Sequence, residues 1–293
     1  MTARGTYPGN YQRIACLSTE AVETLYLLGA EAQVAGISGF TVYPARARKE
    51  KPKVSGFTSG KIERILAVNP DLVIAFSDLQ ADLARDLIKA GIEVHVFNHR
   101  DVAGIFRMIT TLGALVDKAS EAAKLCEALQ ERISKARDVA NALPRRPRVY
   151  FEEWYDPMIS GIGWASELIT IAGGDDVFAE LAAKQGAKQR IIADGNDVIA
   201  RAPDIIIGSW CGRKFQPDHV RARPGWDAIP VLRRLSVGWC SCRGLLGSGH
   251  GAGKAALRRC AHCAPLLENR LSTTTPATIR PMPMMPARSS TWW

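Results

Sequence analysis

Two α/β lobes joined by a long helix are the fold that this sequence predicts, and three observations predict it. Residues 13–100 alternate short apolar runs with amphipathic segments, a βαβ series that builds a parallel sheet between helices. From about Asp101 to Leu143 there is no proline, and glycine occurs only at 104 and 113, so a long helical stretch follows. After LPRRP at 143–147 the strand–helix alternation starts again. A chain of 293 residues is long enough for two such units with their own cores.

Taken in order, RIACLS (13–18) reads as a strand. Ser18 then caps the helix TEAVETLYLLG, with Glu20 in its first turn and Gly29 near its end. QVAGIS is the next strand, and KIERILAV a short helix ended by Asn69-Pro70. DLVIAF is almost continuously apolar, as expected of a strand covered on both faces. DLQADLARDLIKAG reads as a helix stopped by Gly91, and IEVHVF as a strand. In the long helical stretch, apolar residues from Ala122 to Leu143 recur at helical spacing while Glu121, Lys124, Glu127, Glu131, Lys135 and Arg137 take the other face. A helix of about 25 residues spans roughly 38 Å, a strut the width of a domain. Beyond it come a strand RVYFEEW, a helix ASELITIAGG, a short helix NDVIARAP and a strand DIIIGSW. KIERILAVNPDLVIAF and NDVIARAPDIIIGSW share one pattern of short helix, Pro-Asp and buried strand ending at an aromatic, a weak internal repeat that points to two similar lobes. The expected divisions are an N-terminal extension at 1–12, a first lobe at 13–115, an inter-lobe helix at 116–145, an incomplete second lobe at 146–234 and an irregular tail at 235–293.

Composition narrows the function. A hydrophobic fraction of 47% and a charged fraction of 23% suit a soluble globular protein, and no apolar run is long enough to span a bilayer. The net charge of +9 invites a nucleic-acid reading, but from about residue 235 onward Glu268 is the only acid, so most of the excess lies in the tail and nucleic-acid binding is not expected. The segment MTARGTYPGNYQRIACLS has no apolar core and does not read as a secretory signal peptide as it stands. That implies a cytosolic protein, an upstream start, or another route of export. Cys16 and Cys126 read as buried thiols.

The stretch YFEEWYDPMISGIGW (150–164) crowds two adjacent carboxylates among aromatic residues. On a strand, Val149, Phe151 and Glu153 share one face, and Tyr150, Glu152 and Trp154 the other. The two glutamates point apart and cannot flank one scissile bond as a paired acid and base. Glycines follow no phosphate-loop spacing, and GGDD at 173–176 reads as a helix stop and turn rather than a Mg²⁺ site.

Four segments in this order, RIACLSTEAVETLYLLGAEAQVAGIS, VSGFTSGKIERILAVNPDLVIAF, RVYFEEWYDPMISGIGWASELITIAGGDDVF and VIARAPDIIIGSWCGRKF with RPGWDAIP, resemble the substrate-binding proteins of ABC importers that use a rigid inter-lobe helix. This is the class III type serving vitamin B12, ferric siderophores and haem, and the chain is most similar to its cobalamin-binding subgroup. The resemblance runs from about Arg13 to about Pro230. It implies two Rossmann-like lobes with a ligand cleft between them, no enzymatic activity, no cofactor, and cobalamin or a related corrinoid as transported ligand. It also implies an ABC permease and its ATPase as partners, a monomer, and a periplasmic location. Positions matching the aromatic cleft walls are Phe40 or Tyr43, Phe57, Phe76, Trp154, Trp164 and Trp210. Ligands of open α/β sheets bind at the carboxyl ends of strands, where these residues fall, and large rings with apolar faces suit rigid aromatic walls. The family docks to its permease through one surface Glu on each lobe. Glu63 matches the first, and the second falls at Asn196, where Asp197 beside it is the nearest acid.

In the family RPGWDAIP leads to a further strand and helices. Here the sequence after Leu232 is rich in Arg, Ser, Pro and Cys and poor in apolar periodicity, as a shifted reading frame would make it. Its rival is a zinc site of Cys240, Cys242, Cys260 and Cys263, although Cys-x-Cys is the wrong first half for a zinc knuckle. Two further function readings stand beside the corrinoid one. The first is a ferric siderophore or haem binding protein of the same class. The second is a cytosolic enzyme or metal-handling protein on a related two-lobed fold, with Glu152, Glu153 or His99 acting.

Overall fold

A computed structural model describes residues 10–210 and 215–233 of the chain. The tail from 235 and its Cys240, Cys242, Cys260 and Cys263 lie outside the described residues, as does Cys211.

The first lobe is built from β1 (Ile14–Cys16), α1 (Thr19–Leu27), β2 (Val34–Ser38), α2 (Ala47–Glu50), β3 (Lys53–Ser55), α3 (Ile62–Leu66), β4 (Leu72–Phe76), α4 (Ala81–Lys89) and β5 (Val94–Phe97). Its strands form a parallel sheet in the order β3-β2-β1-β4-β5. Side chains alternate across it as a strand requires. Ile14, Cys16, Leu72 and Ile74 enter one cluster, with Val22, Leu25, Met108 and Leu112. Ala15, Leu17, Val73 and Ala75 enter the cluster on the other side, with Ile65 and Leu87. The central strands are thus covered on both faces, which is why their sequence is continuously apolar. Cys16 is buried, and burial pushes its thiol up to about 12, so it acts as a small apolar residue. Ser18 caps α1 by accepting the Ala21 N–H.

The long helical stretch is two helices, α5 (Val102–Leu115) and α6 (Ala119–Asn141). The chain turns between them, with Asp117 in the left-handed region at φ 57°. The strut is therefore the 23 residues of α6, roughly 35 Å at 1.5 Å per residue.

The second lobe contains β6 (Arg148–Tyr155), β7 (Met158–Ser160), α7 (Gly163–Ile171), β8 (Asp175–Asp176), α8 (Ala179–Ala182), α9 (Gly195–Arg201), β9 (Ile205–Gly208), α10 (Pro217–Arg221) and α11 (Pro230–Arg233). β6 is central. It pairs in parallel with β8 and β9 and antiparallel with β7. That hairpin departs from the simple strand–helix alternation expected after LPRRP. GGDD also differs from a simple turn: Gly173, at φ 86°, ends α7, but Asp175 and Asp176 then form β8. Asp175 pairs with Arg146, and Asp176 accepts the Phe178 N–H.

The internal repeat of the sequence has a structural counterpart. α3 and α9 are each followed by a left-handed residue before proline, Asn69 at φ 45° and Ala202 at φ 41°. In both units the next Asp ties its strand to the start of the neighbouring strand. Asp71 accepts the backbone N–H groups of Gln12 and Arg13 at 2.6 and 2.9 Å, and Asp204 accepts that of Arg148 at 2.8 Å.

Candidate functional site

The two lobes touch where the loop after β5 meets the start of α7. The loop after β5 carries Arg100, whose carbonyl lies against Gly163 so closely that a Cβ there would collide with it. Glu167 of α7 accepts the Val102 N–H at 2.9 Å, which joins the start of α5 to the second lobe. Trp164 follows Gly163 and is half-buried at this junction.

On the first lobe, the loops after β2 and β3 and the end of β4 bring Phe40, Phe57 and Phe76 into a row. Phe40 and Phe57 have centroids 5.6 Å apart, and Phe57 and Phe76 5.2 Å. Both pairs are tilted, a favourable aromatic geometry. Phe40 is 43% exposed, and Tyr43 is half-buried in the same loop. Val42 and Leu79, which sequence reasoning missed, are more exposed still and lie in the loops of the same sheet edge. Gln80 anchors the edge: it donates to the Phe57 carbonyl at 2.7 Å and accepts the Phe76 N–H at 3.1 Å.

On the second lobe, β6 carries the aromatic residues. Its pairing with β7 slips between Glu152 and Trp154, so one extra residue bulges there. The bulge breaks the expected alternation. Tyr150 and Glu152 do share a face, with Tyr150 donating to Glu152 at 2.9 Å. Tyr155 then joins Trp154 against the cluster that holds Tyr150, and it packs on Trp210 with centroids 4.7 Å apart and rings tilted by 39°. Trp154 is half-buried, stands 5.1 Å from Tyr155, and donates to the Asp156 carbonyl. Trp210 is 6% exposed and lies in the core cluster with Phe215 and Trp226, so it backs the wall from beneath. Gly208, at the end of β9, allows the Phe215 ring to close over it, since a Cβ there would strike that ring.

Both glutamates are held by arginine. Glu152 is fully buried and accepts from Trp210 Nε1 at 2.9 Å, from Tyr150, and from both Arg223 Nη atoms at 2.5 and 3.1 Å. Burial, then the Glu152 carboxylate, pushes the Tyr150 phenol well above its ordinary value. Glu153 forms a two-pronged pair with the buried Arg190 at 2.6 and 3.1 Å. Both carboxylates are thus engaged in ion pairs with arginines from distant parts of the chain. His99 is half-buried after β5. Its Nδ1 has no partner among the described residues, and burial lowers its pKa, which favours the neutral ring. No group of three His, Cys, Asp or Glu among the described residues could hold a metal ion.

Two α/β lobes joined through a long helix, with aromatic side chains at the strand ends of each, are the architecture of a two-lobed binding protein. The chain belongs to the periplasmic binding protein family, which residues 14–236 match. It is 28% identical over 231 residues to the vitamin B12-binding protein of Vibrio parahaemolyticus, covering 77% of this chain and 80% of that one. Among solved structures, it is similar to the periplasmic haem-binding protein BhuT in complex with two haems, at 25% identity and a TM-score of 0.70 over 90% of this chain and all of that one. It also shares its fold with the vitamin B12-binding protein BtuF of Vibrio cholerae, at 20% identity and a TM-score of 0.66 over 90% and 99% of the two chains. These relatives are substrate-binding proteins, not enzymes, and the B12 binders take cobalamin as a ligand and not as a cofactor. The family is periplasmic, and binding proteins of this class deliver ligands to ABC permeases. Among the described residues no helix is long and apolar enough to cross a membrane.

Proposed function

We propose that this chain binds cobalamin or a related corrinoid between its lobes and delivers it to an ABC permease. The observation that carries this reading is an aromatic group at the strand ends of each lobe, Phe40–Phe57–Phe76 in the first and Trp154–Tyr155–Trp210 in the second. Aromatic walls match a large ring with apolar faces, and side chains already held in place lose little freedom on binding. Trp164 and Tyr43 complete the set from the junction and from the loop after β2. The similarity to B12-binding proteins supports the corrinoid over other rings. Haem is the second reading, favoured by the likeness to BhuT and by the same aromatic side chains. The siderophore reading is weaker, since an anionic chelate calls for arginine and these positions are aromatic.

Glu63 and Asp197 serve as the docking acids. Both are exposed in the first turn of a short helix, and those helices, α3 and α9, are equivalent in the internal repeat. The test is calorimetric titration of the purified protein with cyanocobalamin and, separately, with haemin. One saturable site for cyanocobalamin, weakened about tenfold or more by Trp154→Ala or Phe57→Ala, is the expected result. Saturation by haemin alone would transfer the proposal to haem, and binding of neither by folded protein would end it.

A further inference from the structure

The bulge in β6 is gripped from both faces by arginines that come from distant parts of the chain. Arg223, just after α10, holds Glu152 with two Nη contacts and also donates to the Tyr155 carbonyl at 3.2 Å. It therefore spans the bulge, fastening the residue before it and the residue after it. Its guanidinium also lies 4.5 Å from the centre of the Trp226 ring. On the opposite face Arg190 holds Glu153 and donates as well to the Ser160 carbonyl of β7. That couples the bulged strand to its hairpin partner. Each guanidinium thus joins one glutamate of the bulge to one backbone carbonyl beside it.

We propose that Arg223 and Arg190 are positioning residues of the ligand site, a two-sided clamp that fixes the β6 bulge and with it the placement of Trp154 and Tyr155 against the Trp210 cluster. The inference rests on the ligand-binding reading above. An unclamped bulge can slip by one residue, and a one-residue slip moves every following side chain to the other face. Trp154 and Tyr155 are the two residues that follow. A planar fork with several donors fits this task, because it makes a two-pronged pair and a carbonyl bond at once; an ammonium cannot. Arg145 makes a similar two-pronged pair with Asp204 at the other end of β6, but on the surface and away from the aromatic residues. It is the natural control.

The experiment compares Arg223→Lys, Arg190→Lys and Arg145→Lys with the parent full-length chain. Far-ultraviolet circular dichroism checks folding, near-ultraviolet circular dichroism reads the Trp–Tyr stack without ligand, and titrations use cyanocobalamin and haemin. Folded Arg223→Lys and Arg190→Lys are expected to lose the near-ultraviolet signal and to bind about tenfold more weakly with one-site stoichiometry kept, while Arg145→Lys changes neither. Folded variants with a lower Tm but an unchanged spectrum and affinity would overturn the clamp, leaving a purely structural role. If the parent binds neither ring, the ligand reading fails and the spectrum alone judges the clamp: loss supports it, retention overturns it. Should a lysine variant not fold, Glu153→Gln, which keeps shape and an acceptor on a half-buried residue, takes its place under the same criteria.

Discussion

The two lobes put aromatic side chains at the same edge of their sheets and support them by different means. In the first lobe, Phe40, Phe57 and Phe76 pack ring to ring, each carried by a separate loop or strand end over an apolar sheet. In the second, Trp154, Tyr155 and Trp210 are built around buried charge: Glu152 and Arg223 beneath them, Glu153 and Arg190 behind. An apolar row changes residue by residue, because dispersion contacts are many and small. A charged frame behaves as one object, because removing one member strands another in a place that water cannot reach.

The largest test of that difference is a deletion in each frame. Arg223→Met leaves Glu152 fully buried without its counter-charge and is expected to cost about 3–5 kcal/mol. Phe57→Ala removes a half-buried ring and is expected to cost about 1–2 kcal/mol. Urea unfolding of both variants checks the ranking. Equal costs would mean that the second lobe's charges are no more critical than ordinary packing.

Much of the fold was legible before the structure because it rests on local periodicity. Leu72–Phe76 is apolar on both faces, Ser18 and Gly29 punctuate α1, and Pro70 and Pro203 mark the repeat. The break between α5 and α6 was not, since Val116-Asp117-Lys118 has no glycine or proline to announce it; Asp117 itself takes the left-handed turn. β3, β7 and β8 escaped because strands of two or three residues carry too little pattern. For the site, the aromatic positions came from resemblance, whereas their supports did not. Nothing in EEWY shows a bulge, and Arg223 lies 71 residues from Glu152, so no local rule could pair them. The arginine content of 213–223 was the one available hint that the buried acids had partners.

A smaller test uses the repeat itself. Asp71 and Asp204 occupy equivalent places, but Asp71 accepts two backbone N–H groups while Asp204 accepts one and pairs with Arg145. Each change to Ala is expected to cost about 1–2 kcal/mol. They should differ in their response to conditions. The Arg145 hydrogen bond holds the Asp204 carboxyl below its ordinary value of 3.8. A depressed acid contributes its full stabilisation above that ordinary value and loses it as the pH falls through the lower folded value. Asp204→Ala should therefore flatten the acid limb of stability against pH, measured by thermal unfolding from about pH 2 to pH 6, and reduce its dependence on salt. Identical profiles for the two variants would show that the Arg145 pair adds nothing to the shared backbone tie.

The smallest effect is expected where the second lobe's pairing of acid with arginine fails. Asp175, Glu180 and Asp204 each meet an arginine, as Glu152 and Glu153 do, whereas Asp176 makes no ion pair among the described residues. One of its oxygens accepts the Phe178 N–H at 3.0 Å; the other, Oδ2, is buried without a partner among those residues. Burial pushes this carboxyl above its ordinary value of 3.8. The sign is opposite to that of Asp204. Between the ordinary and the raised value the folded chain holds the proton that the unfolded chain has released, so stability falls as the pH rises through that window, and the loss is complete above it. Asp176→Asn keeps an acceptor for Phe178 and removes the charge. It should raise Tm at neutral pH by about 1–2 °C, a small gain because solvent still reaches part of this half-buried group. Below the ordinary value, variant and parent should melt together. A variant that melts lower than the parent at neutral pH would mean that the Asp176 carboxylate is compensated after all, and that the second lobe's frame of charges is complete.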